Sequence, residues 1–110
     1  MDGFEEAFSA ACEEALKEML GKGAFASTVY HLSRNGVSLP DGAKRPADFE
    51  DALSVVFNPV GASLVEGKVL KSFYRKYGED GFMWGDGLNF CEEVRRARQM
   101  FEANGHRRLP

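Results

Sequence analysis

The chain has 110 residues, 44% of them apolar and 28% charged, with a formal net charge of −3. That length suits one domain able to bury roughly 60 to 70% of the surface its unfolded form exposes, which leaves no room for a second core. The apolar content excludes disorder as the default, and no run approaches the ~20 consecutive apolar residues of a membrane span.

Charge is unevenly placed. Residues 1–55 sum to −5 and residues 56–110 to +2, an asymmetry that can bring unlike faces of two copies together but is screened over ~10 Å. Met1 to Leu20 carries acidic residues where a leader would be basic and then apolar, so a cytoplasmic protein is expected. Two cysteines, Cys12 and Cys91, allow one bridge at most. Both fall on apolar stripes, where a reduced compartment favours thiols acting as small core hydrophobes. Neither has a close Cys or His neighbour, and His31 and His106 lie in different segments, so no metal is expected.

Five helices are predicted. In the first, about Asp2 to Leu20, Phe4, Phe8, Cys12, Ala15, Leu16, Met19 and Leu20 recur at three- and four-residue steps. Gly21-Lys22-Gly23 ends it, because glycine supplies the left-handed conformation common at helix termini. The second, about Ala24 to Asn35, offers Phe25, Val29 and Leu32 and stops at Gly36. From Val37 to Pro46 two prolines and an Asp-Gly turn signal forbid a continuous helix. This is the long loop, expected to lie back on the core through Val37 and Leu39.

The third helix begins near Pro46, whose missing amide costs nothing in a first turn, and carries Phe49, Leu53, Val56 and Phe57. Asn58-Pro59 breaks it, and Gly61 or Ser63 leads into the fourth helix, ending at Gly78. There Leu64, Val65, Val69, Leu70, Phe73, Tyr74 and Tyr77 cover more than one face, so burial on two sides is expected, within the monomer or across a contact between copies. A glycine-punctuated linker then carries Phe82, Met83 and Trp84, which either plug the bundle or form a hot spot for a partner. The fifth helix, about Leu88 to Ala103, is expected to be capped by Asp86 and to present Phe90, Cys91, Val94, Ala97 and Phe101 on one side. Residues 104–110 form a basic tail. The expected architecture is thus all-α, a compact five-helix bundle with a long loop between helices 2 and 3, one domain over residues 1–110 with its core in 4–103.

Candidate chemistry is thin. No GxGxxG follows a predicted strand and no GxxxxGK[ST] is present, so phosphates have no cradle. The pairs Glu13–Glu14 and Glu92–Glu93 diverge by about 100° on their helices and are expected to be solvated. Nothing brings Cys12 or Cys91 to His31 as nucleophile and base. A helix-turn-helix is excluded by the length of the Asn35–Pro46 connection and by Asp48, Glu50 and Asp51 at the start of the third helix, which phosphates would repel. Neither an enzyme, a cofactor nor a nucleic-acid partner is expected.

The run Phe49-x-x-Ala52-Leu53-x-x-Val56-Phe57, a break to Gly61, and then Leu64, Glu66, Val69, Leu70, Phe73, Tyr77 and Gly78 resembles the small archaeal domain called the Nitrosopumilus output domain. The preceding helix around Val29 and Tyr30 and the loop from Leu39 to Pro46 are similar too, so that the likeness covers about residues 6–78. Asn58-Pro59 stands where that family has a glycine-rich break, and Gly78 to Pro110 lies outside the match. The resemblance implies a helical domain of archaeal signalling or regulation without catalytic residues.

The expected function is a non-catalytic protein–protein interaction module, pairing as a homodimer or with another protein through Leu70, Tyr74, Tyr77, Phe82, Met83 and Trp84. The alternative is a small-molecule sensor whose pocket is lined by Tyr30, Tyr74, Tyr77, Phe82 and Trp84.

Overall fold

The computed structural model describes residues 3–78, 81–85 and 87–104. The expected helix start at Asp2, the expected cap Asp86 and the tail beyond Asn104 lie outside them. Four helices follow in order, α1 Gly3–Arg34, α2 Asp41–Lys44, α3 Pro46–Tyr77 and α4 Phe90–Ala103, and no strand occurs among the described residues. The chain is all-α, with four helices among the described residues where five were expected. The difference arises at Gly21 and Asn58, where the chain leaves helical geometry for a single residue and resumes at once. The long loop is also interrupted, since α2 occupies its second half.

Those two single-residue breaks have large consequences. A straight helix of 32 residues would be about 48 Å long, yet the largest extent of the molecule is 34 Å. Both α1 and α3, each 32 residues, must therefore turn sharply. Gly21 does so with φ +82°, a left-handed value that glycine adopts without steric cost. Asn58 takes φ +64°, and its side-chain Oδ1 accepts a hydrogen bond from the Gly61 amide at 3.0 Å. Asn58 thus caps the second arm of α3, with Pro59 in the first helical position, the arrangement in which both residue types are most stable.

The core is aromatic and spans all the long elements. Phe4 and Phe8 of α1, Phe49 and Phe73 of α3 and Phe90 of α4 are fully buried, with Leu16, Leu32, Leu53, Val69 and Leu70 filling between them. Phe73 meets Phe4 edge-on at 5.4 Å, Phe8 at 5.7 Å and Phe101 at 6.0 Å. Phe49 stacks on Phe90 at 6.3 Å. An 18-residue window of α3 has a mean hydropathy of 1.2, enough by length and composition to cross a membrane. In this fold the helix is broken at Asn58 and turns Val65, Val69, Leu70 and Phe73 into the core.

Polar bonds fix how the helices meet. Glu14 of α1 accepts from Ser72 at 3.1 Å and pairs with Lys76, while Glu18 pairs with Lys68 at 2.8 Å. Glu14 is therefore a strut between α1 and α3, not the solvated residue expected. Its bond to Lys76 holds its carboxyl below the usual range, against the opposing effect of burial. In the connection from α1, Val37 is buried and Leu39 half-buried. Asp41 gathers the Ser38 amide at 2.8 Å and Arg45 at 3.2 Å, and Arg45 also donates to the Gly36 carbonyl at 2.8 Å. Burial pushes the Asp41 carboxyl up, but the bonds from Arg45 and Ser38 outweigh it and lower it overall. At the start of α4 the cap is Asn89, whose side chain accepts from the Glu92 amide at 3.0 Å. Leu88 and Asn89 precede the helix, so it begins two residues later than expected.

Candidate interaction surface

Phe82, Met83 and Trp84 cross the outside of the second arm of α3, with Phe82 and Trp84 packed on it and Met83 exposed. Trp84 lies half-buried in a slot made by Gly67, where an added Cβ would stand 2.4 Å from the indole Cδ1 and 2.7 Å from Cγ. Its Nε1 donates to the Ser63 hydroxyl at 3.1 Å. Phe82 packs its ring on Tyr74 at 4.7 Å. Met83, between the two anchors, is 82% exposed.

On either side of Met83 is a concavity. One, of ≈ 330 Å³, is lined by Tyr74, Phe82, Met83, Leu88, Glu93 and Met100 among others. The other, of ≈ 470 Å³, is lined by Met19, Leu64, Gly67, Lys68, Phe82 and Met83 among others. Leu64 is 63% exposed, and Met19 and Leu88 nearly 40%, while Val60, one turn before Leu64, is also exposed. Large apolar side chains gathered in this way around a fixed loop make a contiguous patch, which isolated exposed residues do not.

Only part of the surface expected from sequence is present there. Phe82, Met83, Trp84 and Tyr74 are together. Leu70 is fully buried and belongs to the core, because six residues carry it about 120° around the helix from Leu64. Tyr77 is half-buried against Phe73 at 5.1 Å and Phe101 at 5.2 Å, sealing the core end. The expected ligand pocket is not assembled either. Tyr30 lines neither concavity and makes its contacts with Arg34 and His31 of its own helix. Tyr77 lines neither concavity, Tyr74 and Phe82 line the smaller one, and Phe82 and Trp84 line the larger. Met19, Leu64 and Leu88, which the periodicity assigned to core stripes or passed over, replace the missing members.

Two buried carboxyls also escaped the sequence reading. Glu93 is 5% exposed and pairs with Arg96 at 3.1 Å beside the smaller concavity, whereas its neighbour Glu92 is exposed and pairs with Arg95. Glu66 is 4% exposed. Burial, then the charge of Glu50 and a hydrogen bond shared with it, raise the Glu66 carboxyl to about 8. Both acids sit at helical spacing from core residues, Glu66 one turn before Leu70 and Glu93 one turn before Ala97, and that spacing is the signal that could have found them. Cys12 and Cys91 are both free. Cys12 is buried and its thiol is pushed up by loss of solvent. Cys91 is half-buried, and burial followed by the charges of Glu50 and Glu66 raises it. Neither thiol has the thiolate character a nucleophile needs. Among the described residues no three His, Cys, Asp or Glu side chains are grouped to hold a metal ion.

The Gly67 slot makes a direct prediction. Gly67→Ala should expel Trp84, the single tryptophan of the chain, at a cost of about 1–3 kcal/mol for overpacking. Its fluorescence should shift to the red and become more accessible to acrylamide while helical circular dichroism is retained. Unchanged emission would mean the indole does not occupy that slot.

The comparisons with known proteins add no relative to this description: no family model matches the chain, and no curated protein or solved structure does.

Proposed function

We propose that the protein is a non-catalytic interaction module that pairs with a second copy of itself through the patch around Met83. The observation that carries this reading is an 82% exposed methionine held between two anchored aromatic residues, with a concavity of mixed apolar and charged lining on each side. A knob beside a groove is self-complementary about a two-fold axis, since each copy's knob can enter the other's groove. That is the geometry of the commonest kind of homodimer. Methionine suits such a contact because its unbranched, polarizable side chain fills irregular grooves. A role in archaeal signalling, by resemblance to the Nitrosopumilus output domain, and a cytoplasmic location belong to the same proposal.

Light scattering tests it. Wild type should be dimeric at concentrations on the order of tens of micromolar, and Met83→Asp or Leu64→Asp should weaken the dimer by at least about tenfold, ~1.4 kcal/mol. Because both side chains are exposed, the melting temperature of the dilute monomer should change little. A wild-type monomer at those concentrations refutes the homodimer and leaves a different protein as partner.

A second reading has its own observation. The concavity of ≈ 330 Å³ presents Tyr74, Phe82 and Met100 together with the Glu93–Arg96 ion pair, a mixture of apolar walls and one charged pair that suits a small ligand. A metabolite that raises the melting temperature in wild type but not in Glu93→Gln would favour sensing, since a ligand of the native state must stabilise it.

A further inference from the structure

On the outer side of the second arm of α3, Val60, Leu64, Lys68, Lys71 and Arg75 recur at three- and four-residue steps and so form one stripe along the helix. The stripe changes character along its length. It opens on Val60 and Leu64, two exposed apolar side chains, and from Lys68 onward it is basic. Lys68 pairs with Glu18 at 2.8 Å. Lys71 and Arg75, both exposed, form no ion pair among the described residues.

The larger concavity lies on the middle of this stripe. From α3 it takes Leu64, Lys68 and Lys71, from α1 Met19, and from the linker the three side chains that cross the helix. Its volume of ≈ 470 Å³ is that of a small-ligand site. Leu64 and Lys71 stand about 10.5 Å apart along the helix axis, so the groove runs from an apolar end to a cationic end over the length of a medium alkyl chain. Among the described residues no acidic side chain lines it, in contrast to the smaller concavity with its Glu93. In a chain of net charge −3, this groove is therefore a place where an anion is attracted.

We propose that the larger concavity binds a single-chain amphipathic carboxylate, of which a medium-chain fatty acid is the simplest, with its tail against Leu64 and Met19 and its carboxylate at Lys71 and Lys68. Each end of the ligand meets a group suited to it. The tail leaves water for an apolar wall, and the head meets one ammonium that is unpaired and a second that gives only one of its donors to Glu18. A membrane carries the same charges, but a concave site bounded by a linker admits one chain and not the face of a bilayer. The groove is complete within one copy, so this site goes beyond self-pairing through Met83 and does not depend on it; once filled, it would exclude a partner's methionine.

Titration of decanoate, below its micelle concentration, into the full chain at about one micromolar tests the site on dilute protein, whatever its assembly at higher concentration. Trp84 lines the groove and is the single tryptophan, so its emission should shift to the blue and saturate. Decylammonium should bind at least about tenfold more weakly, and butanoate, which keeps the charge and lacks the tail, should not shift the emission. Lys71→Glu, at an exposed and unpaired position, should fold as wild type by circular dichroism and weaken decanoate at least about fivefold, because it turns an attraction into a repulsion. Lys44→Glu, an equal charge change on α2 outside the groove, should leave binding unchanged. No saturable shift with decanoate, equal affinity for decylammonium, or a Lys71→Glu protein that binds as wild type overturns the site. Binding to vesicles of anionic phospholipid without binding of free decanoate overturns it too, and makes the stripe a membrane contact.

Discussion

Phe73→Ala is expected to cost about 4 kcal/mol, a large fraction of the stability of the whole domain. Deleting a buried phenylalanine side chain removes its transfer free energy and leaves a cavity, together worth about 3–5 kcal/mol. That range already includes ring–ring contacts, which here are with Phe4, Phe8, Tyr77 and Phe101 at 5.1–6.0 Å and place the loss near its middle. A domain of this size is stable by only about 5–15 kcal/mol. What makes the position so costly is its connectivity, because the same ring joins α1, the second arm of α3 and α4. Val55→Ala, removing a side chain that is 70% exposed on the first arm, should change stability by less than about 0.5 kcal/mol. Urea denaturation of the two variants measures the contrast, and equal midpoints would show that the aromatic cluster is not where the stability resides.

Much of that core is legible in the sequence, and the reason is periodicity. Phe4, Phe8, Cys12 and Leu16 are spaced by four residues, as are Phe49 and Leu53, and Val65, Val69 and Phe73, and each of these side chains is buried. Gly21 and Asn58-Pro59 are legible as breakers for the same kind of local reason, since only a few residue types tolerate left-handed backbone or lack an amide. What local chemistry does not reveal is whether a helix resumes beyond its break, which is why four helices stand where five were expected. Nor does it reveal the site. Leu64 and Leu70 read alike in the sequence, yet one is 63% exposed and the other fully buried, because the two faces of α3 differ only in what packs on them. Trp84 is the converse case. Its partner is the absent side chain of Gly67, and a missing atom has no pattern until the linker is seen lying across it. Asp86 was a plausible cap, but Asn89 lies three residues before Glu92, the spacing at which a cap accepts from the helix amide.

The buried Glu66 should make the protein less stable as pH rises from about 5 to 8.5, the reverse of what paired carboxylates do. Free in an unfolded chain its carboxyl loses its proton near 4.5, whereas in the fold it keeps it up to about 8. Between those values the native state binds the extra proton, so stability is full below the lower value and is lost as pH climbs through the upper one. The slope approaches about 1.4 kcal/mol per pH unit for one such group, and relaxation around a buried charge keeps the total to the order of 2–4 kcal/mol. Asp41 and Glu14 act with the opposite sign. Their carboxyls are lowered in the fold, so their stabilisation is present above the ordinary carboxylate range and disappears only in acid. Both raised thiols, Cys12 and Cys91, keep their protons throughout this window. Melting temperatures should therefore peak near pH 5 and decline toward 8.5 in wild type. In Glu66→Gln the decline should be nearly abolished, and that variant should be the more stable of the two at pH 8.5 although it differs little from wild type at pH 5. A wild-type melting temperature that rises across this interval would show that Glu66 is ionised in the fold and that a bound cation or water satisfies it.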